Sequence, residues 1–146
     1  MGFGDPSGNY WLGNDRLSQL TANNHYKLRI DLQQDVTGKW YSAEYYTFRV
    51  LSEADNYELL VVGFSGNASS SALGWDHGGR KFSTYDRDND PWLAGNCAAE
   101  IGGGFWYRSC GVCQLNGARS TGLFYWTQLP GGRDLQLSRM WLQCKW

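Results

Sequence analysis

One run of strict alternation restricts this chain more than any other feature. Tyr26, Leu28, Ile30 and Leu32 are separated by Lys27, Arg29 and Asp31, so a strand here buries one face and turns the other to water. Asp35-Val36-Thr37-Gly38 reads as a turn, and Trp40 to Val50 returns as a second strand rich in aromatic and β-branched residues. Together they predict a long antiparallel hairpin. Tyr57 to Phe64 reads as a third strand after a short connection from Ser52 to Asp55. Ahead of the hairpin, Asn14 to Thr21 sets an Asx cap before Leu17 and Leu20, which predicts two turns of helix.

From Ser65 onward neither the strand period nor the helix period persists, and Gly, Ser, Asn and Asp dominate between isolated aromatics. The second half is therefore expected to be mostly ordered loop. The chain is 16% aromatic and holds 19 glycines, a composition suited to it. Rings bury about 150–250 Å² each, and glycine serves the left-handed corners. Loop backbone groups still need partners, so a cross-link or a bound ion is the expected remedy. At 146 residues, with no repeat or linker, one domain is expected over residues 1–146. The formal charge of -1 lacks the basic excess that a nucleic acid demands. No apolar run approaches the roughly 18 residues of a membrane span, and Met1 is followed by no basic leader with a cleavage site. Neither nucleic acid nor membrane insertion is expected.

Residues 86–90 read Asp-Arg-Asp-Asn-Asp, with three carboxylates and an amide oxygen in five positions. Hard oxygen ligands at that density suit calcium, with Asp88 and Asp90 the best-placed pair. An EF-hand is excluded, since its sixth position would be Pro91 and its twelfth Cys97. Taken alone, an acidic loop is more often a solvated turn. Cys110-Gly111-Val112-Cys113 has the spacing of a redox or zinc motif. It lacks both the βαβ context and a second matching pair, so structural disulfides are the better reading. A bridge from Cys97 to Cys110 would enclose 12 residues and stabilise by about 3 kcal/mol through loop closure. His25 and His77 sit in no nucleophile motif and read as solvated or hydrogen-bonded loop histidines. No enzyme is expected. Four cysteines and one sequon, Asn67-Ala68-Ser69, favour an extracellular setting.

Several runs resemble one family, the fibrinogen C-terminal or fibrinogen-related domain of fibrinogen chains, ficolins, tachylectins, angiopoietins and tenascins. Gly8-Asn9-Tyr10-Trp11-Leu12-Gly13-Asn14 is similar to its G-E-[FY]-W-L-G-[NL] segment, and Tyr26 to Leu32 to its Y-x-L-R-[VI]-[DE]-L strand. Phe82-Ser83-Thr84-Tyr85-Asp86-Arg87-Asp88-Asn89-Asp90 resembles F-S-T-x-D-x-D-N-D. Gly95-Asn96-Cys97-Ala98, Gly104 to Cys110 and Leu115-Asn116-Gly117 follow in the family's order, with a weaker echo at Met140 to Gln143. The resemblance implies an α+β fold: an antiparallel sheet with short flanking helices, the central subdomain, beside a loop-rich calcium-binding subdomain. It also implies a secreted module with Asp88, Asp90 and a loop carbonyl as calcium ligands and Cys97 joined to Cys110. Seven positions separate Asp90 from Cys97, against the family's common six, and the carbonyl falls to Trp92 with Leu93 next.

Family lectins hold acetylated sugars beside that loop. The matching positions here are Ile101 and Gly111, with Trp106, Tyr107, Ser109 and Cys110 between them, and Trp106, Tyr107 and Arg108 are expected to offer an aromatic, cationic surface. The lectins' cis bond before the second cysteine would fall at Ser109-Cys110. Lectin-like binding of acetylated glycans in innate immunity is the first functional expectation. The alternative is a receptor-binding or matrix module of the angiopoietin or tenascin type, recognising a cell-surface or matrix protein. The family domain runs to over 200 residues, so its N-terminal subdomain is expected to be absent, leaving an open sheet edge or an exposed apolar face. Cys113 and Cys144 have no regular family partner; pairing with each other, remaining free and linking chains into a homo-oligomer all stay open.

Overall fold

A computed structural model describes residues 2–5, 7–69 and 71–145. Its centre is the predicted hairpin, β3 (Tyr26–Gln34) and β4 (Trp40–Val50), preceded by the short pair β1 (Phe3–Gly4) and β2 (Tyr10–Trp11). On one side of the hairpin β4 pairs with β5 (Leu59–Gly66). On the other, β3 pairs antiparallel with a strand near the C-terminus, β8 (Leu135–Cys144). The order β5-β4-β3-β8 makes one four-stranded antiparallel sheet, and β6 (Cys113–Gln114) with β7 (Tyr125–Trp126) forms a small separate ladder. With the short α-helices α1 (Asn14–Thr21) and α2 (Cys97–Ile101) beside it, the fold is α+β. Among the described residues no helix is long and apolar enough to cross a membrane.

Alternation decides which face is buried. Leu28, Ile30 and Leu32 point into the core, while Lys27, Arg29 and Asp31 share the outer face with Glu44 in a ladder of ion pairs at 2.9–3.0 Å. Helix α1 is tied down across β4 by one hydroxyl: Thr21 Oγ1 donates to the Leu17 carbonyl at 2.7 Å and accepts from the Val50 N–H at 3.0 Å. Buried Gln34 does the same for the hairpin turn. Its Oε1 accepts from Thr37 N and Oγ1, and its Nε2 donates to the Gly131 carbonyl.

Three expectations change. The helix is capped by Gly13 at φ +96°, which leaves Asn14 inside the first turn with no capping bond from a side chain. The third strand starts two residues late, because Asn56 and Tyr57 both take left-handed backbone (φ +53° and +54°) and turn the chain before it can extend. The half expected to be mostly loop holds the fourth strand of the sheet, β8. Ser138 stands on its core face opposite Leu32, while Leu137 and Trp141 stand on the outer one, so the alternation is blurred.

The loop half packs its aromatics inward. Phe105, Trp106, Tyr107 and Trp126 are all fully buried. His77 ends a π-helical segment, Ser71–His77, and is as buried as they are. Its Nδ1–H donates to the Trp106 carbonyl, its ring meets Phe105 edge-on at 5.1 Å, and its Nε2 has no partner. Burial holds the imidazole below its ordinary pKa of 6.5, outweighing the Trp106 carbonyl, which favours the charged form. A histidine kept neutral in the fold stabilises fully above pH 6.5, and that contribution is lost as acidity rises past this value. Unfolding free energy measured by urea titration is therefore expected to fall as the pH drops below 6.5. His77→Asn, which keeps a donor toward Trp106, should flatten that slope while lowering stability at pH 7.5. An equal slope in both proteins would exclude His77 as its source.

Candidate functional site

The acidic loop is organised by its own carboxylates. Ser83 bridges Phe105 in a two-bond β contact, and Thr84 pairs with Arg87 to close a tight turn. Asn89 then anchors the chain, with its backbone N–H on Ser83 Oγ and its Nδ2 on the Phe82 carbonyl. Asp88 Oδ1 accepts from Asp90 N at 3.1 Å. Asp90 accepts twice, through Oδ1 from Trp92 N and through Oδ2 from Cys97 N, both at 2.9 Å. Asn96 caps α2 through Oδ1 and donates from Nδ2 to the Thr84 carbonyl. Cys97, first residue of α2, is disulfide-bonded to Cys110. One carboxylate thus reaches from the middle of the loop to the root of its cross-link.

Asp86, Asp88 and Asp90 form no ion pair among the described residues. Nor do three or more His, Cys, Asp or Glu side chains gather anywhere among them, so an all-side-chain cage is absent. A cation here has to draw on two carboxylates and on backbone carbonyls. The residues present fit that requirement. Each Asp90 oxygen is engaged by a single N–H and keeps a lone pair, and the Trp92 carbonyl accepts only a 3.3 Å bond from Gly95 N. Asp86 Oδ1 is already engaged, accepting from Thr84 Oγ1 at 2.6 Å.

The surface expected from the aromatic run is not there. Trp106 and Tyr107 have no exposed area, and Ile101 has 8%. Trp106 Nε1 donates to the Tyr57 carbonyl at 2.7 Å, and the Tyr107 hydroxyl lies between the Gly103 carbonyl and Gln114 Nε2, so both polar tips are satisfied inside. The Tyr107 hydroxyl is accordingly pushed well above the ordinary phenol range, by burial first. These three residues are core, and Arg108 alone stays outside, 3.6 Å from Asp76. Ser109 is exposed, with Cys110 and Gly111 half-buried.

The Ser109–Cys110 bond is trans. The chain turns instead through two left-handed residues, Cys110 at φ +63° and Gly111 at φ +83°. Glycine is required at 111, because a Cβ there would lie 2.2 Å from His77 Cε1. Cys113 and Cys144 are both free and do not pair. Cys113 is fully buried, its thiol pushed well up by burial, and cannot link chains; Cys144 is exposed at the end of β8. The roles of Asn96 and His77 escaped the sequence reading. An Asx residue before Cys97-Ala98-Ala99-Glu100 is a legible cap signal, whereas nothing local marks His77 as core.

The globular C-terminal domain of fibrinogen beta and gamma chains, as a family profile, matches residues 1–137. Ficolin-3 of Homo sapiens is 42% identical over 116 residues, covering 80% of this chain and 38% of ficolin-3. Fibrinogen-like protein A of Apostichopus parvimensis is 38% identical over 140 residues, covering 91% of this chain and 48% of that protein. The chain spans less than half the length of either relative. The fibrinogen-like globe domain of human ANGPTL6 superposes with a TM-score of 0.87 at 36% identity, over 98% of this chain and 67% of that one. With the profile running from residue 1 to residue 137, into the start of β8, and a solved globe superposing over 98% of this chain, the chain belongs to the family of fibrinogen C-terminal globular domains.

Proposed function

We propose that this protein is a non-catalytic, secreted recognition module whose acidic loop is set by calcium and whose neighbouring surface binds acetylated glycans in innate immunity. What supports the reading most is the pair Asp88 and Asp90, two carboxylates in one tight loop with no cationic partner among the described residues and one of them bonded to Cys97 N. Both side chains would hold the ion, with the Trp92 carbonyl as a third ligand. When bound, calcium would neutralise the clustered charge and fix the loop's conformation. The groups left to meet a sugar are exposed Tyr85, half-buried Trp92 and the Ser109-Gly111 corner.

A second reading, recognition of a cell-surface or matrix protein, has its own support. The burial of Trp106 and Tyr107 removes an aromatic cage beside the disulfide, while exposed Tyr85 and Leu93 flank the loop as protein-binding apolar groups do. A glycan array probed with and without chelator separates the two. Chelator-sensitive binding to acetylated sugars is expected; silence in both conditions, with capture by matrix or receptor ectodomains, would favour the protein partner.

Asp90→Ala removes two charge-assisted bonds to backbone N–H groups. It should cost about 1–3 kcal/mol in calcium-free buffer and abolish the rise in Tm on adding calcium. Asp88→Ala should chiefly abolish that rise, and Asp86→Ala should stay within about 0.5 kcal/mol of the unaltered chain. A calcium-dependent rise in Tm that survives in the Asp88→Ala, Asp90→Ala double variant would overturn the assignment.

A further inference from the structure

A cleft of about 330 Å³ opens between β2, the start of α1 and the loops around residues 56, 82–89 and 116, and neither Asp88 nor Asp90 lines it. Its volume is at the lower end for small-ligand sites, the size for one compact molecule. Trp11 and Phe82 supply an apolar wall, stacked at 6.2 Å with 24° between their planes, and Trp106 backs both from the core. Phe3, 67% exposed, stands at the mouth.

The polar lining is mostly amide, and much of it is unused. Asn89 and Asn116 each spend Nδ2 on a backbone carbonyl, of Phe82 and Gly104, which fixes the amides and leaves both Oδ1 atoms without a donor. Asn14 is the telling residue. It is 9% exposed, its side chain makes no hydrogen bond within the protein, and its Oδ1 is buried without a partner. A buried amide in that state calls for a physical account, and its Nδ2, unpaired but not enclosed as Oδ1 is, is the atom that a ligand in the cleft can reach.

Charge narrows the ligand class. Arg87 is the cation of the cleft, and it is answered by Glu53 at 3.5 Å and by Asn56 Oδ1 at 2.9 Å. Glu53 already offsets its charge, which weakens the pull of the cleft on a carboxylate or phosphate. Hydroxyl groups, which donate and accept at once, match spare carboxamide oxygens, and the C–H face of a pyranose matches the Trp11 and Phe82 rings. We propose that this cleft binds a single neutral pyranose, gripped by Asn14, Asn89 and Asn116 against the Trp11 wall. The site goes beyond the acidic-loop reading and does not depend on it.

Nitrogen-15 NMR of the whole chain tests this, with the Trp11 indole N–H assigned by its loss in Trp11→Phe. The probes are the methyl glycosides of glucose, mannose, galactose and N-acetylglucosamine. At least one should shift the Trp11 signal saturably with a millimolar Kd. Asn14→Leu, which replaces the unpaired amide with an apolar group of similar size, should keep the folded spectrum and weaken that sugar at least tenfold. Phe3→Ala, at the exposed mouth, should weaken it severalfold and serves if Asn14→Leu does not fold. A Trp11 signal that no probe moves, or equal affinity in the variants that fold, overturns the proposal. Array binding that persists in Asn14→Leu while Trp11 stays fixed would spare the acidic-loop reading, whereas array silence beside a mobile Trp11 signal would sink that reading alone.

Discussion

The irregular half of this molecule hangs on one carboxylate. Asp90 takes the N–H of Trp92 with one oxygen and that of Cys97 with the other, so the loop is fastened to the residue that carries its covalent link to Cys110. Without that double acceptance two backbone donors would need water or another oxygen, and the chain between them has no regular structure to supply one. Asn96 works from the neighbouring position, holding the Thr84 carbonyl and starting α2 at the same point. A short helix, a disulfide and a charged turn thereby behave as one unit.

Behind this unit the aromatics form its foundation. Phe82 meets Trp106 edge-on at 5.1 Å, Trp106 meets Phe105, and Phe105 meets Tyr107, giving a continuous chain of rings from the cleft to the disulfide region. Rings in such contacts have few alternative rotamers and hold their polar tips in place. Trp106 reaches the Tyr57 carbonyl on the connection before β5, so the loop half and the sheet share a hydrogen bond as well as a packed surface. The price of this rigidity is one buried histidine with a spare nitrogen.

The hairpin was legible because alternation over Tyr26 to Leu32 is a local signal, readable without knowing what lies across the strand. Strand β8 lacks that signal, since its place is dictated by the neighbouring β3 rather than by its own pattern. The motif residues of the acidic loop could be read in order, but the hydrogen bonds of Asp90 to Trp92 and Cys97 follow only from the fold. Three adjacent aromatics, Phe105 to Tyr107, look the same in sequence whether they face water or core. Their burial is decided by partners as distant as Tyr57 and Gln114. Asn14 shows the same limit at a helix start, where Gly13's positive φ took over the capping position.

Strand β8 is ten residues long and has β3 as its one strand neighbour in the sheet among the described residues; Leu135, its first residue, also donates its N–H to the Phe124 carbonyl. Its other margin is a row of backbone donors and acceptors open to any extended peptide that drifts alongside. Two large side chains of β8 lean the other way, back over the sheet: the Trp141 indole donates to Asp31 on β3, and Arg139 lies over the ring of Trp40 on β4. Their bulk therefore covers the outer face, and an extended segment arriving at the margin would meet backbone first.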